Sequence, residues 1–379
     1  MYLRFAAAGA LALAFTLPAS AEINVCVTVS ATGPAASLGV PENNTVPLLP
    51  TEFSGQKVNY IVFDDATDPT AAVKNVRKCI EEENADVIIG SSATPGSMAV
   101  AGIAAETKTP VIPLAPISLE GDAGHWAFPA PQPNVQMASA LVDHMKTNGV
   151  KTLGFLGYSD AFGEQFLNAT KKQLEGTDIE LGPVERFART DTSVTGQALK
   201  LVSANPDAIL VVASGTPSAL PNLTLAERGY KGQMYHTHGS ASDAFLRVAQ
   251  DAAEGTILPV GPVVVAAQLP DDHPSKELAV QYTKDYEAAN GEGSLSSFGG
   301  HMFDAGQMIQ AATEKALATG AEPGTPEFRS ALRDALANME EVVGVHGVFN
   351  TSDDNHYGHD ERSRVLVQVD GGTWKYIGQ

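Results

Sequence analysis

From residue 23 onward the sequence alternates short apolar runs with amphipathic stretches, and a turn or a helix start marks each change. Ile23 to Val29 reads as a strand ending in the turn Ser30-Ala31-Thr32-Gly33-Pro34. Val58 to Phe63 is a second strand. Asp68-Pro69 then starts a helix with Val73, Val76 and Ile80 on one face. The run after Asp86, Val87-Ile88-Ile89, is apolar throughout, as a strand covered on both faces must be. A helix from Pro95 to about Thr107 and a strand from Val111 to Leu114 follow. Strand–helix–strand repetition of this kind builds a parallel sheet with helices on both faces.

The pattern restarts in a second unit. Thr152 to Leu156, Val184 to Phe187, Ala208 to Ala213 and Gln233 to Thr237 read as strands, with helices over Phe162 to Leu174 and Thr195 to Ala204. Pro129 to Pro133 and Pro259 to Pro262 separate the units as crossovers. Helices near Ser275 to Ala289, Met302 to Ala318 and Pro326 to Ala337 are placed on the first unit, and Arg364 to Val369 with Trp374 to Ile377 form a hairpin around Asp370-Gly371-Gly372. Pro47 falls inside the helix expected from Pro41 to Leu49 and should kink it or end it early. Two α/β units joined by more than one crossover make a hinge, with a ligand site between them.

Met1 to Ala21 has the form of a secretory signal peptide: Arg4, an apolar run from Phe5 to Leu17, and Ala19-Ser20-Ala21 as a cleavage site. The expectation is a mature protein starting near Glu22 in a bacterial periplasm. The formal charge of -20 argues against nucleic acid as a partner and disfavours anionic membranes. An anionic ligand must then be held by local donors against the overall field. Cys26 and Cys79 could pair in an oxidising compartment, or remain as two buried thiols.

The stretch Ile89-Gly90-Ser91-Ser92-Ala93-Thr94-Pro95-Gly96 carries the strongest functional signal. A buried strand ends there in a hydroxyl-rich loop, and Thr94-Pro95 has the form of a helix cap with proline at the first helical position. Free amides at such a start, beside Ser92 and Thr94, suit a carboxylate. No phosphate-binding loop, dinucleotide fingerprint or nucleophile elbow occurs, so neither enzyme nor cofactor is expected. His236-Thr237-His238 reads as a strand end lining a cleft rather than a metal site, and His356, His359, Asp353, Asp354 and Asp360 as a solvated turn.

These motifs together resemble the periplasmic substrate-binding proteins of branched-chain amino acid ABC importers, the type I, leucine/isoleucine/valine-binding class. Ser30-Ala31-Thr32-Gly33-Pro34 with Leu38-Gly39, Asp64-Asp65-Ala66-Thr67-Asp68-Pro69, Val87-Ile88-Ile89-Gly90, Pro110-Val111-Ile112, Phe162-Gly163-Glu164, Pro206-Asp207-Ala208 and Phe303-Asp304-Ala305 follow the family's order across the mature chain. The resemblance implies an α/β fold of two Rossmann-like lobes with parallel central sheets and a multi-crossover hinge. Residues 22–132 and 262–348 would form the N-terminal lobe, and 133–261 and 349–379 the C-terminal lobe. It also implies a monomer that hands a small solute to ABC permease subunits in the inner membrane, or, as a sensory receptor subunit, reports it.

Carried over position by position, the family's site implies Thr94 and Ala115 at a ligand carboxylate and Leu38, Phe162 and Phe298 as walls. Ser214 and His238 would face the cleft from the second lobe. The departures shape the ligand. The family's acidic partner for an ammonium group is replaced by His238, and a second would fall near the uncharged Asn134 or Gln136. Ile117 stands where the family has threonine, and Leu38 and Ser214 where it has tyrosine. A buried ammonium without a carboxylate is costly. The expected ligand is therefore a carboxylate lacking an amino group, an aromatic acid such as a benzoate or phenylpropenoate first, with a branched-chain amino acid as the other reading. Phe162 and Phe298 would sandwich the ring, and His238 or His236 would bond a ring substituent.

Overall fold

The structure, a computed structural model, describes residues 22–118 and 120–378. The expected signal peptide lies outside the described residues. The first sheet contains β1 (Ile23–Val29), β2 (Glu52–Phe53), β3 (Gln56–Asp64), β4 (Val87–Gly90) and β5 (Val111–Ile112) in the order β2-β3-β1-β4-β5. Its β3, β1, β4 and β5 run parallel, and β2 folds back antiparallel on β3.

The second sheet takes β6 (Thr152–Tyr158), β7 (Glu180–Phe187), β8 (Ala208–Val212), β9 (Gln233–His236) and β10 (Ile257–Val260). β11 (Val342–Val343) and β12 (Val348–Phe349) form a separate ladder. β13 (Val365–Asp370) and β14 (Thr373–Gly378) then complete the second sheet, in the order β14-β13-β10-β9-β8-β6-β7. This is the two-sheet, mostly parallel architecture that the sequence predicts.

The helices are α1 (Ala36–Thr45), α2 (Pro69–Glu82), α3 (Thr94–Thr107), α4 (Gly121–His125), α5 (Asn134–Thr147), α6 (Ala161–Leu174), α7 (Thr195–Ala204), α8 (Ala219–Glu227), α9 (Asp243–Ala249), α10 (Lys276–Asn290), α11 (Ser297–Ala318) and α12 (Pro326–Leu336). None of the described helices is long and apolar enough to cross a membrane.

Strand alternation sorts the first core into two faces. Val25 and Val27 of β1 pack with Met302, Ala305, Ile309 and Phe328 of α11 and α12. Cys26 points the other way, with Val76 of α2 and Val100 and Ile103 of α3. On that face Cys26 and Cys79 form a disulfide, which settles the choice left open by the sequence. In the second unit Leu153, Phe155 and Ile209 to Val212 pack under Leu141, Phe166 and Leu201.

Several expectations shift. Pro47 ends α1 at Thr45, and a 3-10 turn, Val46–Leu48, follows with the proline in its first positions. Pro259 and Val260 belong to β10, paired with Leu366 and Val365, so the second crossover starts only at Gly261. Pro133 is the N-cap of α5, a helix hidden behind the proline-rich run. His356 and His359 are not in a solvated turn. His356 Nδ1 bonds the Gly124 carbonyl at 2.9 Å and stacks on Phe128, His359 Nε2 bonds the Ala130 carbonyl at 2.9 Å, and the Tyr357 hydroxyl donates to the Ile117 carbonyl. Contacts to the first unit thus continue to about residue 360, beyond the expected boundary at 349.

Candidate ligand-binding cleft

Parallel strands deliver their carboxyl ends to one edge, and here two such edges face each other. From the first sheet come Leu38 after β1, Ser92, Ala93 and Thr94 after β4, and Leu114, Ala115 and Pro116 after β5. From the second come Phe162 after β6, Arg189 after β7, Ser214 after β8, and His238 and Gly239 after β9. Phe298 and His301 of α11 and Pro131 of a crossover close the cavity between these two sets. The facing loops touch: the Thr216 amide donates to Ser37 Oγ at 3.1 Å, and Ser242 bridges to Ser296.

Eight of the nine predicted site residues line this cavity: Leu38, Ser92, Thr94, Ala115, Phe162, Ser214, His238 and Phe298. Ile117 does not. Its side chain packs in the first core, and its amide and carbonyl are both held by the Tyr357 hydroxyl. His236 is also set apart, bonded to Ser240 Oγ at 2.8 Å and to Asn222.

The hydroxyls play other parts than expected. Ala93 is the N-cap of α3, so Thr94 is its first residue and Pro95 its second. Thr94 Oγ1 donates to the Pro116 carbonyl at 2.9 Å, which commits its one proton. Ser92 Oγ accepts from the Ser30 amide at 2.8 Å and donates to Glu42. Glu42 is fully buried, and desolvation holds its carboxyl well above the usual range. What these loops offer the cavity is main-chain donors. No side chain caps α3, and the amide of Ala115 has no partner among the described residues.

Two polar side chains of the wall escaped the sequence reading. Arg189 Nε donates to Asp160 at 2.6 Å and Nη1 to Ser214 Oγ at 2.8 Å, and its guanidinium carbon lies 4.2 Å from the Tyr158 ring centre. Its Nη2 has no partner among the described residues. The signal was its place two residues beyond a strand end of the second sheet. His301 stands three residues after Phe298 and so shares its helix face. Burial pushes the His238 imidazole down to about 4 and His301 well below its ordinary range, so both are neutral at pH 7. Among the described residues no group of three or more His, Cys, Asp or Glu is placed to hold a metal ion.

A model described as periplasmic binding protein matches residues 22–373. The chain belongs to the type I periplasmic binding protein family. It is similar to an extracellular ligand-binding receptor from Rhodopseudomonas palustris HaA2, with 45% identity, 94% of this chain and 99% of that chain covered, and a TM-score of 0.92. The fold extends to a leucine binding protein from Thermotoga maritima, at 18% identity, 94% and 98% coverage and a TM-score of 0.79. It extends likewise to an ABC transporter solute-binding protein from R. palustris in complex with benzoate, at 21% identity, 94% and 96% coverage and a TM-score of 0.77. No curated protein matches the chain.

Proposed function

We propose that this periplasmic binding protein is the solute-binding component of an ABC importer, and that it captures a small aromatic carboxylate between its lobes. One observation carries the reading: the cavity wall contains the guanidinium of Arg189 and no aspartate or glutamate among the described residues. An amino acid would bring an ammonium group into a wall with a cation and no anion, at a cost of several kcal/mol. A carboxylate finds the free Nη2 of Arg189 and the proton of Ser214, whose Oγ already accepts from Nη1. We therefore assign the acid to Arg189. The amides of Thr94 and Ala115, expected to hold the carboxylate, become donors to a second oxygen. Leu38, Leu114, Phe162 and Phe298 supply an apolar body for a ring.

The mechanism is selection between open and closed lobes. Arg189, Ser214, Phe162 and His238 come from the second lobe, and Leu38, the amides and Phe298 from the first. A ligand touching both sets favours the closed arrangement by the contacts that only closure makes. We take the lobes as residues 22–132 with 262–348, and 133–261 with 349–379, apart from the contacts of residues 350–360 described above. The closed form would dock, as a monomer in the periplasm, on permease subunits; no chemical step is involved.

The test is a thermal-shift screen of ligand-stripped protein against benzoates, phenylpropenoates, short 2-oxo acids and branched-chain amino acids. Ligands that bind the folded state raise the melting temperature by mass action. Stabilisation by aromatic acids supports the reading. Stabilisation by leucine or valine alone overturns it.

A further inference from the structure

The chain has nine histidines. Seven make a ring hydrogen bond: His346 Nε2 to the Ser297 carbonyl at 2.7 Å, His359 to Ala130, His356 to Gly124, His273 to Arg362, His236 to Ser240, His144 to Tyr235 and His125 to Arg333. The two without one, His238 and His301, are the two that line the cavity. They are only 6% and 3% exposed, so water does not serve them freely. Every other imidazole has at least one ring partner, and the two with none at all stand at the place where a ligand sits.

We propose that His238 and His301 form a hydroxyl-reading pair, so that the ligand is an aromatic acid bearing a hydroxyl group at the end remote from its carboxylate. This deepens the aromatic-acid reading and rests on it. A neutral imidazole offers one donor and one acceptor, and a hydroxyl group is the small group that answers both. Its proton goes to one ring nitrogen, and its oxygen takes the N–H of the other ring or a main-chain amide of Thr94 or Ala115. A carboxylate only accepts, and it has the charge of Arg189 elsewhere in the wall. Arg189 enters the cleft from the second lobe after β7 and His301 from α11 of the first, so the two groups approach a ligand from opposite sides, with Phe162 and Phe298 also in the wall.

The experiment is calorimetric titration with matched pairs: benzoate against 4-hydroxybenzoate, and cinnamate against 4-hydroxycinnamate. The full mature protein should bind the hydroxylated member of at least one pair tenfold more tightly or better, because a bare acid leaves the buried nitrogens unserved. His301→Phe and His238→Phe should each bring that ratio towards one by weakening the hydroxylated ligand more than the bare acid. A purely structural role would weaken both members together and leave the ratio standing, which overturns the proposal. If either variant fails to fold, the wild-type ratio alone decides, and a ratio near one overturns it. Failures are separable: acids that bind without discrimination sink only the hydroxyl pair, whereas no binding of any acid removes the aromatic-acid reading as well.

Discussion

Arg189 reaches the cleft with two of its five N–H donors already employed, and that employment is what aims it. Asp160 caps α6 through the Phe162 amide and at the same time grips Arg189 Nε, so one carboxylate positions both an aromatic wall and the cation. Removing the guanidinium in Arg189→Met leaves Asp160 facing an incoming acid. Titration should show affinity for the carboxylate falling by about 1.5–3 kcal/mol, roughly 10- to 150-fold. Thr94→Val should behave differently. Its hydroxyl serves Pro116, so chemical denaturation should register a loss of about 1–2 kcal/mol in stability. Acid affinity should move less than threefold, which titration checks. Residue identities at this site were legible because strand ends and their flanking loops can be found in sequence. Roles were less so. A hydroxyl has one proton, and the sequence does not say which way it points; Ser92 and Thr94 were found, but their protons are spent inside the lobe.

Helices and turns were read well where a local device announces them. Asp68 caps α2 by accepting from the Thr70 amide at 2.8 Å, as its place before Pro69 predicts. Devices set by partners far away were invisible. Pro259 reads as a breaker, yet it sits in β10 because β13, a hundred residues later, pairs with it. The turn after β8 is a further case. Gly215 has φ of +62°, and a Cβ there would lie 2.0 Å from Ser37 Oγ and 2.7 Å from Leu38 Cδ1, both of the opposite lobe. Gly215→Ala should therefore cost about 1 kcal/mol or more of ligand-free stability through its backbone. It should also weaken ligand binding, as seen by titration, because the lobes meet badly. Ser37→Gly added to it should recover part of the affinity while the backbone cost remains. An unchanged affinity in Gly215→Ala would mean that this contact takes no part in closure.

Buried ionisable groups bound the conditions under which the whole molecule is stable. Burial pushes His236 and His346 down to about 3 and His238 to about 4, from an ordinary 6.5. Their depressed values mean that the unfolded chain binds more protons below pH 6.5, so their contribution is full above 6.5 and is lost as pH falls towards 3–4. Asp304 acts oppositely. It is buried beneath the Val345 and His346 amides, and desolvation raises it to about 8, so it favours the folded state below pH 3.8 and withdraws that support as pH rises to 8. Each group changes stability by up to about 1.4 kcal/mol per pH unit within its window. Melting temperature should therefore peak near pH 6–7, drop on the acid side through the imidazoles and drift down on the alkaline side through Asp304. A flat profile between pH 5 and 7 would show that these imidazoles are solvated.

The order in which the polypeptide visits its two sheets has a consequence for biogenesis. β1, among the earliest residues made, waits for α11 and α12 to cover it, and these emerge only after the whole run from β6 to β10. That run in turn lacks β13 and β14 until residues 365–378 are present. The first half is complete only once α12 and the β11–β12 ladder have been made and the second only once β14 has, so neither can close early. A growing chain of this design stays an open thread until nearly all of it has been synthesised, the physical state in which a polypeptide can still be passed through a narrow pore.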